Sequence, residues 1–246
     1  MAASLDAVAL TLRDEAEDRP DIATRDESKY VFTRFDTDTL RAHLRGFARP
    51  IVYAGPVSRV FSLYFDDARL SACRANLDGL GVRHKLRLRW YDQEQPAGPC
   101  FFEIKWRNHQ TTGKHRFRVT EGGALLGAPL RQIPALLARA LPARFEALLL
   151  RDLQAVNLVE YRREHFGFDA ARFTLDYDLR FHPLLDRRHL ARRFGERLPG
   201  VSLIECKAPL ASAGEAQRVL RGLRTRSTSF SKYVTACLRL GLVSVH

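Results

Sequence analysis

The chain has 246 residues, of which 46% are hydrophobic, so it can bury a substantial core and its length fits one large domain. Its 40 Lys and Arg residues outnumber its 28 Asp and Glu residues, and the resulting net charge of +12 favours a polyanionic partner such as nucleic acid, nucleotide, polyphosphate or anionic lipid. The sequence contains neither a run of about 18 apolar residues nor a basic region followed by a small-residue cleavage site. We therefore expect no membrane-spanning helix and no secretion signal, and we expect a cytoplasmic protein.

The cysteine and histidine residues indicate neither a zinc site nor a disulfide framework. The four cysteines, Cys73, Cys100, Cys206 and Cys237, are widely spaced and include no C-x-x-C pair. The eight histidines fall singly, without the i, i+4 spacing of a helical zinc site. We expect the cysteines to be buried thiols in a reducing compartment.

Residues 1–22 are predicted to form a flexible N-terminal tail, and residues 23–246 a single domain. Charged residues dominate the tail, whereas short alternating segments begin at Thr24. A helix is predicted next, because Asp36 or Thr37 can cap it and Pro50 can end it. The strands that follow are predicted over residues 57–66, 83–91, 100–107 and 113–119. This order is typical of an antiparallel meander.

The second half of the chain is predicted to alternate between helices and strands. Between residues 129 and 153 the apolar spacing predicts two short helices broken at Pro142. Strands are predicted over residues 157–166, 172–181 and 202–207. Three further helices are predicted over residues 186–197, which are rich in Arg, 214–223 and 231–240.

Positive charge is confined to one face of several predicted strands. Because side chains alternate along a strand, Lys85, Arg87 and Arg89 share one face, while Trp90 lies on the other. The next two strands repeat this arrangement, with the charged sets Glu103, Lys105 and Arg107, then Lys114, Arg116 and Arg118. Taken singly, each strand fits an ordinary amphipathic sheet whose charged face is solvated. Alternatively, the sheet closes so that the charged faces line an interior and the helices cover its apolar exterior.

The composition of the charged face favours the closed arrangement. The face is cationic over successive strands, and this mutual repulsion would be relieved by a bound polyanion. Single carboxylates also recur among the cations: Glu27, Glu103, Asp176 and Glu205. Such carboxylates would repel a nucleic acid but could hold Mg²⁺ or Mn²⁺ at a phosphate site, so no nucleic-acid partner is expected.

The order of the motifs resembles the VTC domain, a polyphosphate polymerase domain of the triphosphate tunnel metalloenzymes. The resemblance rests on nine segments between residues 25 and 233 of this chain: RDESKY, FSLYFDD, KLRLRWY, FEIK, GKHR, YRREHF, RFTLD, IECK and SFSKY. It is closest to the bacterial, stand-alone members. It implies an α+β fold in which a closed antiparallel β-barrel of about eight strands forms a triphosphate tunnel, with helices packed on the outside.

The resemblance and the strand alternation together predict the site. The predicted phosphate-binding cations are Lys29, Lys85, Arg87, Arg89, Lys105, Lys114, Arg116, Arg163, Arg172, Lys207 and Lys232. Glu205 is the first metal-ligand candidate, and Glu27, Glu103 and Asp176 are further candidates. Arg87, Arg89, Lys105 and Glu205 are the predicted catalytic residues, and Mn²⁺ or Mg²⁺ is the predicted cofactor.

The implied reaction is phosphoryl transfer from ATP to phosphate or a growing polyphosphate chain, which could leave lengthwise through a tunnel open at both ends. The related CYTH triphosphatases typically begin with E-x-E-x-K, whereas Arg25 stands at the first position of that pattern here, which weakens simple triphosphate hydrolysis. Two alternatives stay open: an inorganic or nucleoside triphosphatase, and a non-catalytic module that binds polyphosphate or inositol phosphate. The sequence leaves the oligomeric state and a membrane-protein partner undecided.

Overall fold

The computed structural model describes residues 10–14, 25–94, 97–149, 152–185, 187–192 and 194–244. Its strands are β1 (Leu12–Asp14), β2 (Arg25–Phe32), β3 (Arg49–Ile51), β4 (Ser58–Asp67), β5 (Val82–Tyr91), β6 (Cys100–Asn108), β7 (Thr111–Val119), β8 (Leu153–Phe168), β9 (Ala171–Pro183), β10 (Glu196–Leu198) and β11 (Ser202–Pro209). Its α-helices are α1 (Thr37–Arg45), α2 (Ser71–Leu77), α3 (Gly122–Gly127), α4 (Ile133–Ala140), α5 (Glu146–Leu149), α6 (Ala213–Arg218) and α7 (Lys232–Arg239).

The strands form one antiparallel sheet, which confirms the predicted α+β class. Eight strands have eight or more residues, and their order is β7-β6-β5-β4-β8-β9-β11-β2. The three short strands each pair with one of these long strands: β1 with β7, β3 with β8, and β10 with β9. Within the described residues β2 pairs with β11 alone, so the sheet is open in its hydrogen bonding and the predicted closed barrel was wrong in this respect.

The open sheet nevertheless curls until distant strands meet through their side chains. Lys105 on β6 lies 3.3 Å from the carboxylate of Glu27 on β2, although five strands separate β6 and β2 along the sheet. Strong right-handed twist allows an antiparallel sheet to curve in this way. The curvature creates a concave face, on which the charged residues converge, and a convex face.

Two apolar clusters cover most of the convex face with helices, as predicted. Leu86, Leu88 and Trp90 of β5 pack with Phe102 and other residues of β6 against α3, α4 and α5. The second cluster joins α1 and α6 to β2, β9 and β11 through Leu40, Leu44, Phe173, Ile204 and Ala216. Alternation along each strand therefore separates an apolar convex side from a charged concave side.

A third apolar cluster lies on the concave face itself. It contains Val159 of β8, Leu179 and Phe181 of β9, and Leu203 of β11, together with Cys73 of α2 and Cys237 of α7. Helices α2 and α7 thus fill one end of the concave face, and the predicted tunnel is not open along its whole length. The burial of apolar surface on both sides of the sheet stabilises this arrangement.

Helix α2 was not predicted, and its start depends on two aspartates that end β4. Asp67 Oδ1 accepts from the backbone N–H of Ser71 at 3.0 Å, and Asp66 accepts from Ala72 and Cys73 at 3.0 and 2.9 Å. Asp66 also accepts from the hydroxyl of Tyr233 on α7 at 2.7 Å. These carboxylates satisfy backbone donors that a helix start leaves free, so α2 can begin directly after the strand.

Two sequence predictions differ from the structure. The helix predicted over residues 186–197 is absent among its described residues, and β10 pairs there with β9. An added Cβ at Gly195 would lie 2.4 Å from the ring of His182 on β9. Glycine at this position therefore lets the segment approach β9 closely. In the predicted tail, β1 pairs with β7, while residues 1–9 and 15–24 lie outside the described residues.

The prediction for the cysteines fits the structure, because all four are free and buried. None of the described helices is long and apolar enough to cross a membrane.

Candidate functional site: a basic groove on the concave face

The concave face beside α7 forms a charged surface, which we call the basic groove. Seven long strands and the first residue of α7 contribute the eleven cations that the sequence predicted: Lys29, Lys85, Arg87, Arg89, Lys105, Lys114, Arg116, Arg163, Arg172, Lys207 and Lys232. Four carboxylates lie among them: Glu27, Glu103, Asp176 and Glu205. The structure thus brings the predicted site residues together, and the carboxylates divide them into three contact groups.

Glu103 forms the centre of the first contact group. Its side chain is 2% exposed, and its carboxylate lies 2.5 Å from Arg87 and 3.8 Å from Arg89. Lys114 and Arg116 of β7 approach it to 3.4 and 3.6 Å. Burial opposes ionisation of Glu103, but Arg87 and the other cations outweigh this effect and hold its pKa well below the usual range. One buried carboxylate on β6 therefore fixes four cations from its two neighbouring strands, β5 and β7.

Asp176 forms the centre of the second contact group. Arg163 of β8 donates two hydrogen bonds to its two carboxylate oxygens, at 2.6 and 2.7 Å. Lys232, at the start of α7, donates a third at 2.6 Å. Against the effect of burial, Arg163 and Lys232 lower the pKa of Asp176, so it stays ionised. The two-point arginine contact fixes the orientation of the guanidinium plane.

Glu27 and Glu205 form the third contact group, at the centre of the groove. Burial and the charge of Glu205 both oppose ionisation of Glu27, but Lys207 and Lys105 outweigh them and lower its pKa. Lys207 lies 3.3 Å from Glu27 and 4.0 Å from Glu205, and Lys29 lies 3.1 and 3.9 Å from the same two groups. Burial raises the pKa of Glu205, but Lys207 and Lys29 together hold it well below its usual range. This pair is more exposed than Glu103 or Asp176, with side-chain exposures of 29% for Glu27 and 15% for Glu205.

The chemistry of these two carboxylates fits one hard divalent cation. Mg²⁺ is commonly bound by one or two carboxylates, with substrate phosphates and water completing its coordination. Among the described residues, no group of three or more His, Cys, Asp or Glu side chains is arranged to hold a metal ion. Glu27 and Glu205 could thus supply two protein ligands from a partly exposed position, whereas the side chains of Glu103 and Asp176 are almost fully buried.

Two lysines in the groove have strongly lowered pKa values. Burial, followed by repulsion from Lys29 and Lys105, lowers the pKa of Lys85 to about 7. Its amine donates to the hydroxyl of Ser231 at 3.0 Å. Burial also lowers the pKa of Lys114 to about 8, although Glu103 acts in the opposite direction. The groove thus carries more positive charge than it can keep protonated near neutral pH without a bound anion.

Arg172 is the remaining predicted cation, and its position follows from strand register. It lies directly opposite Lys207 in the pairing of β9 with β11. Directly opposed residues of antiparallel strands present their side chains on the same face. Arg172 therefore extends the basic groove beyond the pair formed by Glu27 and Glu205.

Sequence reasoning missed three polar residues that line the groove. Tyr161 is 1% exposed, its hydroxyl has no hydrogen-bond partner among the described residues, and Lys232 lies 4.6 Å from its ring centroid. Tyr64 accepts from Arg87 at 3.1 Å, and Ser231 accepts from Lys85. The period of two already placed Tyr161 on the face of Arg163, so this residue could have been predicted.

Comparisons with solved structures identify the fold. A candidate adenylate cyclase from Bacillus halodurans is 12% identical, with a TM-score of 0.51, over 85% of this chain and 94% of that chain. A candidate adenylate cyclase from Vibrio parahaemolyticus is 11% identical, with a TM-score of 0.47, over 85% and 97% of the two chains. An inorganic triphosphatase is 15% identical, with a TM-score of 0.27, over 79% of each chain. At these identities the Bacillus structure supports the fold alone.

Comparisons of sequence identify the family. A search of curated proteins found no match to this chain. The family model described as the VTC domain matches residues 24–240, which include all of the basic groove. The chain belongs to the VTC domain family.

Proposed function

We propose that the basic groove carries out metal-dependent phosphoryl transfer on triphosphate or polyphosphate, and that its specific reaction is polyphosphate synthesis from ATP. The substrates and products would be ATP or another triphosphate, inorganic phosphate and polyphosphate. Glu27 and Glu205 would hold Mn²⁺ or Mg²⁺. The family supports the substrate class, and the arrangement of charge in the groove supports the reaction type.

The convergence of cations carries this proposal. Among the described residues, the eleven predicted cations of the groove face four carboxylates, which leaves seven positive charges in excess when all are ionised. A chain of phosphates supplies negative charge at regular spacing, so it can neutralise cations contributed by many strands. An extended polyanion therefore fits the groove better than a single small anion does.

The side chains of the groove suit phosphoryl transfer without a protein nucleophile. This reaction depends mainly on positioning and on stabilisation of charge over the transferred group. Arg87 and Arg163 present guanidinium groups whose planes are fixed by Glu103 and Asp176, so their remaining donors can each contact phosphate oxygens. A bound divalent metal would neutralise developing charge on the phosphates.

Tyr161 and Lys232 add a polar contact where the groove meets α7. The buried Tyr161 hydroxyl has no acceptor among the described residues, and an unsatisfied buried hydroxyl is costly. A phosphate oxygen would accept its hydrogen bond. Lys232 would bring positive charge to the same phosphate from the first turn of α7.

An assay that follows two products separates the candidate reactions. The purified chain is incubated with ATP and Mn²⁺ or Mg²⁺, and long-chain polyphosphate and free phosphate are measured separately. Polyphosphate formation is the expected result. Release of phosphate alone would replace the polymerase with a triphosphatase, and tight triphosphate binding without turnover would replace it with a binding module.

A pair of variants tests the site assignment. Lys105→Ala removes a cation whose side chain is 43% exposed, so we expect loss of turnover with little change in stability. Arg131→Ala, at an exposed position on the convex side, is the matched control. If Lys105→Ala keeps full turnover while folded, the basic groove is not the site of reaction.

A further inference from the structure

A second positively charged cavity lies on the opposite side of the sheet from the basic groove. It has a volume of about 240 Å³, and its charged lining residues are Arg59, Glu160, Arg162, Asp178 and Arg180; we call it the convex pocket. Arg162 alternates with Arg163 along β8, so it faces away from the groove. Glu160 is paired in register with Phe61, whose ring packs in the convex core. The proposed phosphoryl-transfer reaction does not use these charges.

The size of the convex pocket suits a small ligand. A liquid water occupies about 30 Å³, so the cavity can hold a phosphate group together with several waters. Arg59, Arg162 and Arg180 come from three adjacent strands, β4, β8 and β9, and all three line the same cavity. An extended polyanion would meet Glu160 and Asp178 at its walls, so the pocket favours a compact anion.

Glu160 holds arginines at one wall of the pocket. Its two oxygens lie 2.7 Å from Arg59 and 3.3 Å from Arg192. His182 and Arg59 lower the pKa of Glu160 to about 2, although burial acts in the opposite direction. Glu160 therefore stays ionised. Arg59 and Arg192 are also linked through Glu94.

Asp178 holds arginines at the other wall. Its carboxylate lies 2.9 Å from Arg197, 3.5 Å from Arg180 and 3.6 Å from Arg162. The side chains of Arg162, Arg180 and Arg197 remain 55%, 40% and 66% exposed, so much of each guanidinium is open to a ligand. One carboxylate therefore gathers three arginines without neutralising all of them.

The backbone around the pocket departs from regular sheet geometry. The register of β8 with β9 shifts between Glu160 and Arg162, and Asp178 has a φ of +52° inside β9. Bulges re-aim side chains and are frequent next to binding sites. A left-handed backbone conformation at a residue other than Gly is energetically unfavourable, and such residues are often found at functional sites. Here the bulge aims Arg162, Asp178 and Arg180 at one cavity.

The charge balance identifies the class of ligand. Within the described part of the chain, five arginines meet three carboxylates in this network, namely Glu94, Glu160 and Asp178. Two positive charges remain in excess. Planar guanidiniums are well suited to tetrahedral phosphate oxygens.

We propose that the convex pocket is a second anion site, separate from the basic groove, which binds one small phosphate dianion such as inorganic phosphate or a phosphomonoester. Arg162 and Arg180 contact the phosphate directly, and Arg59 closes the third side. The site lies across the sheet from the proposed reaction, so it goes beyond the proposed function and does not depend on it.

Inorganic phosphate is the probe for the test, and NMR of the wild-type chain gives a readout that needs no variant. Titration with phosphate is expected to shift the assigned Nε–Hε signals of Arg162 and Arg180 in a saturable manner. Signals that stay unchanged up to a concentration that saturates the basic groove would overturn the proposal.

Calorimetry with paired variants gives the second readout. Arg162→Gln/Arg180→Gln is expected to weaken one class of phosphate site at least tenfold. The charge-matched control Arg131→Gln/Arg218→Gln alters exposed arginines outside the pocket and is expected to leave the phosphate affinity of the pocket unchanged. Lys105→Ala/Lys207→Ala alters the basic groove and is also expected to leave the phosphate affinity of the pocket unchanged. Equal weakening in the pocket variant and its control would contradict the proposal, because it would indicate general loss of charge.

Discussion

The two ends of the concave face are built from the same strands but have opposite chemistry. Along β9, Arg172, Thr174 and Asp176 face the groove, whereas Leu179 and Phe181 belong to the apolar cluster beneath α7. Along β11, Glu205 and Lys207 continue from Leu203, which is buried in that cluster. One end therefore exposes fixed charges to a ligand, and the other end is filled by the chain itself.

This difference shows how the protein holds many like charges together. The apolar end anchors α7, and the first residue of α7, Lys232, then reaches Asp176 in the groove. The charged end relies on buried carboxylates to fix its cations. The free energy contributed by the charged end is expected to depend on bound anions, whereas that contributed by the apolar end is expected to depend mainly on packing.

The largest expected effect comes from removing the charge of Glu103. Glu103→Gln leaves four neighbouring cations without their shared counter-ion, and breaking a buried ion pair typically costs about 3–5 kcal/mol. We expect a loss of this size in the free energy of unfolding, measured with urea at low salt. Added tripolyphosphate should restore more stability to this variant than it adds to the wild type, because the anion replaces the missing negative charge. Glu215→Gln, at an exposed position, is the control, and an unchanged urea midpoint for Glu103→Gln would refute the role of Glu103.

The matching change at the apolar end is Leu179→Ala. Leu179 is fully buried in the cluster beneath α7, and a Leu to Ala change in a core typically costs about 2–5 kcal/mol. We expect that loss in the same urea experiment, with no more recovery on adding tripolyphosphate than the wild type shows. Leu210→Ala, at a side chain that is 66% exposed, should change stability little. Full rescue of Leu179→Ala by the anion would remove the proposed distinction between the two ends.

A smaller effect is expected from removing the hydroxyl group of Tyr233, which links α7 to Asp66 at the start of α2. Tyr233→Phe removes the donor to Asp66 and leaves one buried carboxylate oxygen with fewer partners, which typically costs about 1–3 kcal/mol. Thermal or urea unfolding measures the loss, and Tyr53→Phe, on an exposed ring, is the control. Equal stability of the Tyr233 variant and the wild type would mean that this hydrogen bond does not help to hold α7 in place.

The smallest expected effect is the pH dependence of anion binding in the groove. The lysines Lys85 and Lys114 have pKa values lowered to about 7 and about 8, so both lose their charge as pH rises through this range. Tripolyphosphate affinity should therefore fall about tenfold between about pH 6.5 and 8.5, with proton uptake on binding. Calorimetry in buffers of different ionisation enthalpy measures both quantities. Lys85→Met should flatten the profile, and a profile as steep as that of the wild type would exclude Lys85 as its source.

Much of the fold and of the groove could be predicted from local patterns. Alternation in β5, β6 and β7 correctly assigned one charged and one apolar face to each strand, because side-chain direction in a strand follows directly from sequence position. Asp36 was also a correct helix cap, since its carboxylate accepts from the backbone of Thr39 at 2.7 Å. Pro142 separates two short helices, as predicted.

The predictions that failed depended on contacts between distant segments. Asp66 ends the strand predicted over residues 57–66, and nothing local indicates that its partners include Tyr233, which is 167 positions away. The Arg-rich segment around Arg192 had a composition suited to a helix, but pairing of β10 with β9 favours an extended chain there. The register shift that gathers Arg162 and Arg180 has no local signature, because it depends on how β8 meets β9.

The sequence by itself determined which charges share a face and which family the chain resembles, because both follow from residue order. Only the tertiary structure decided which end of the concave face is filled. It also decided which carboxylates are surrounded by cations and that β2 meets β6 without backbone pairing. The reason is physical: the curvature of a twisted sheet and the placement of α7 are set by the packing of many weak contacts, and no single segment encodes them.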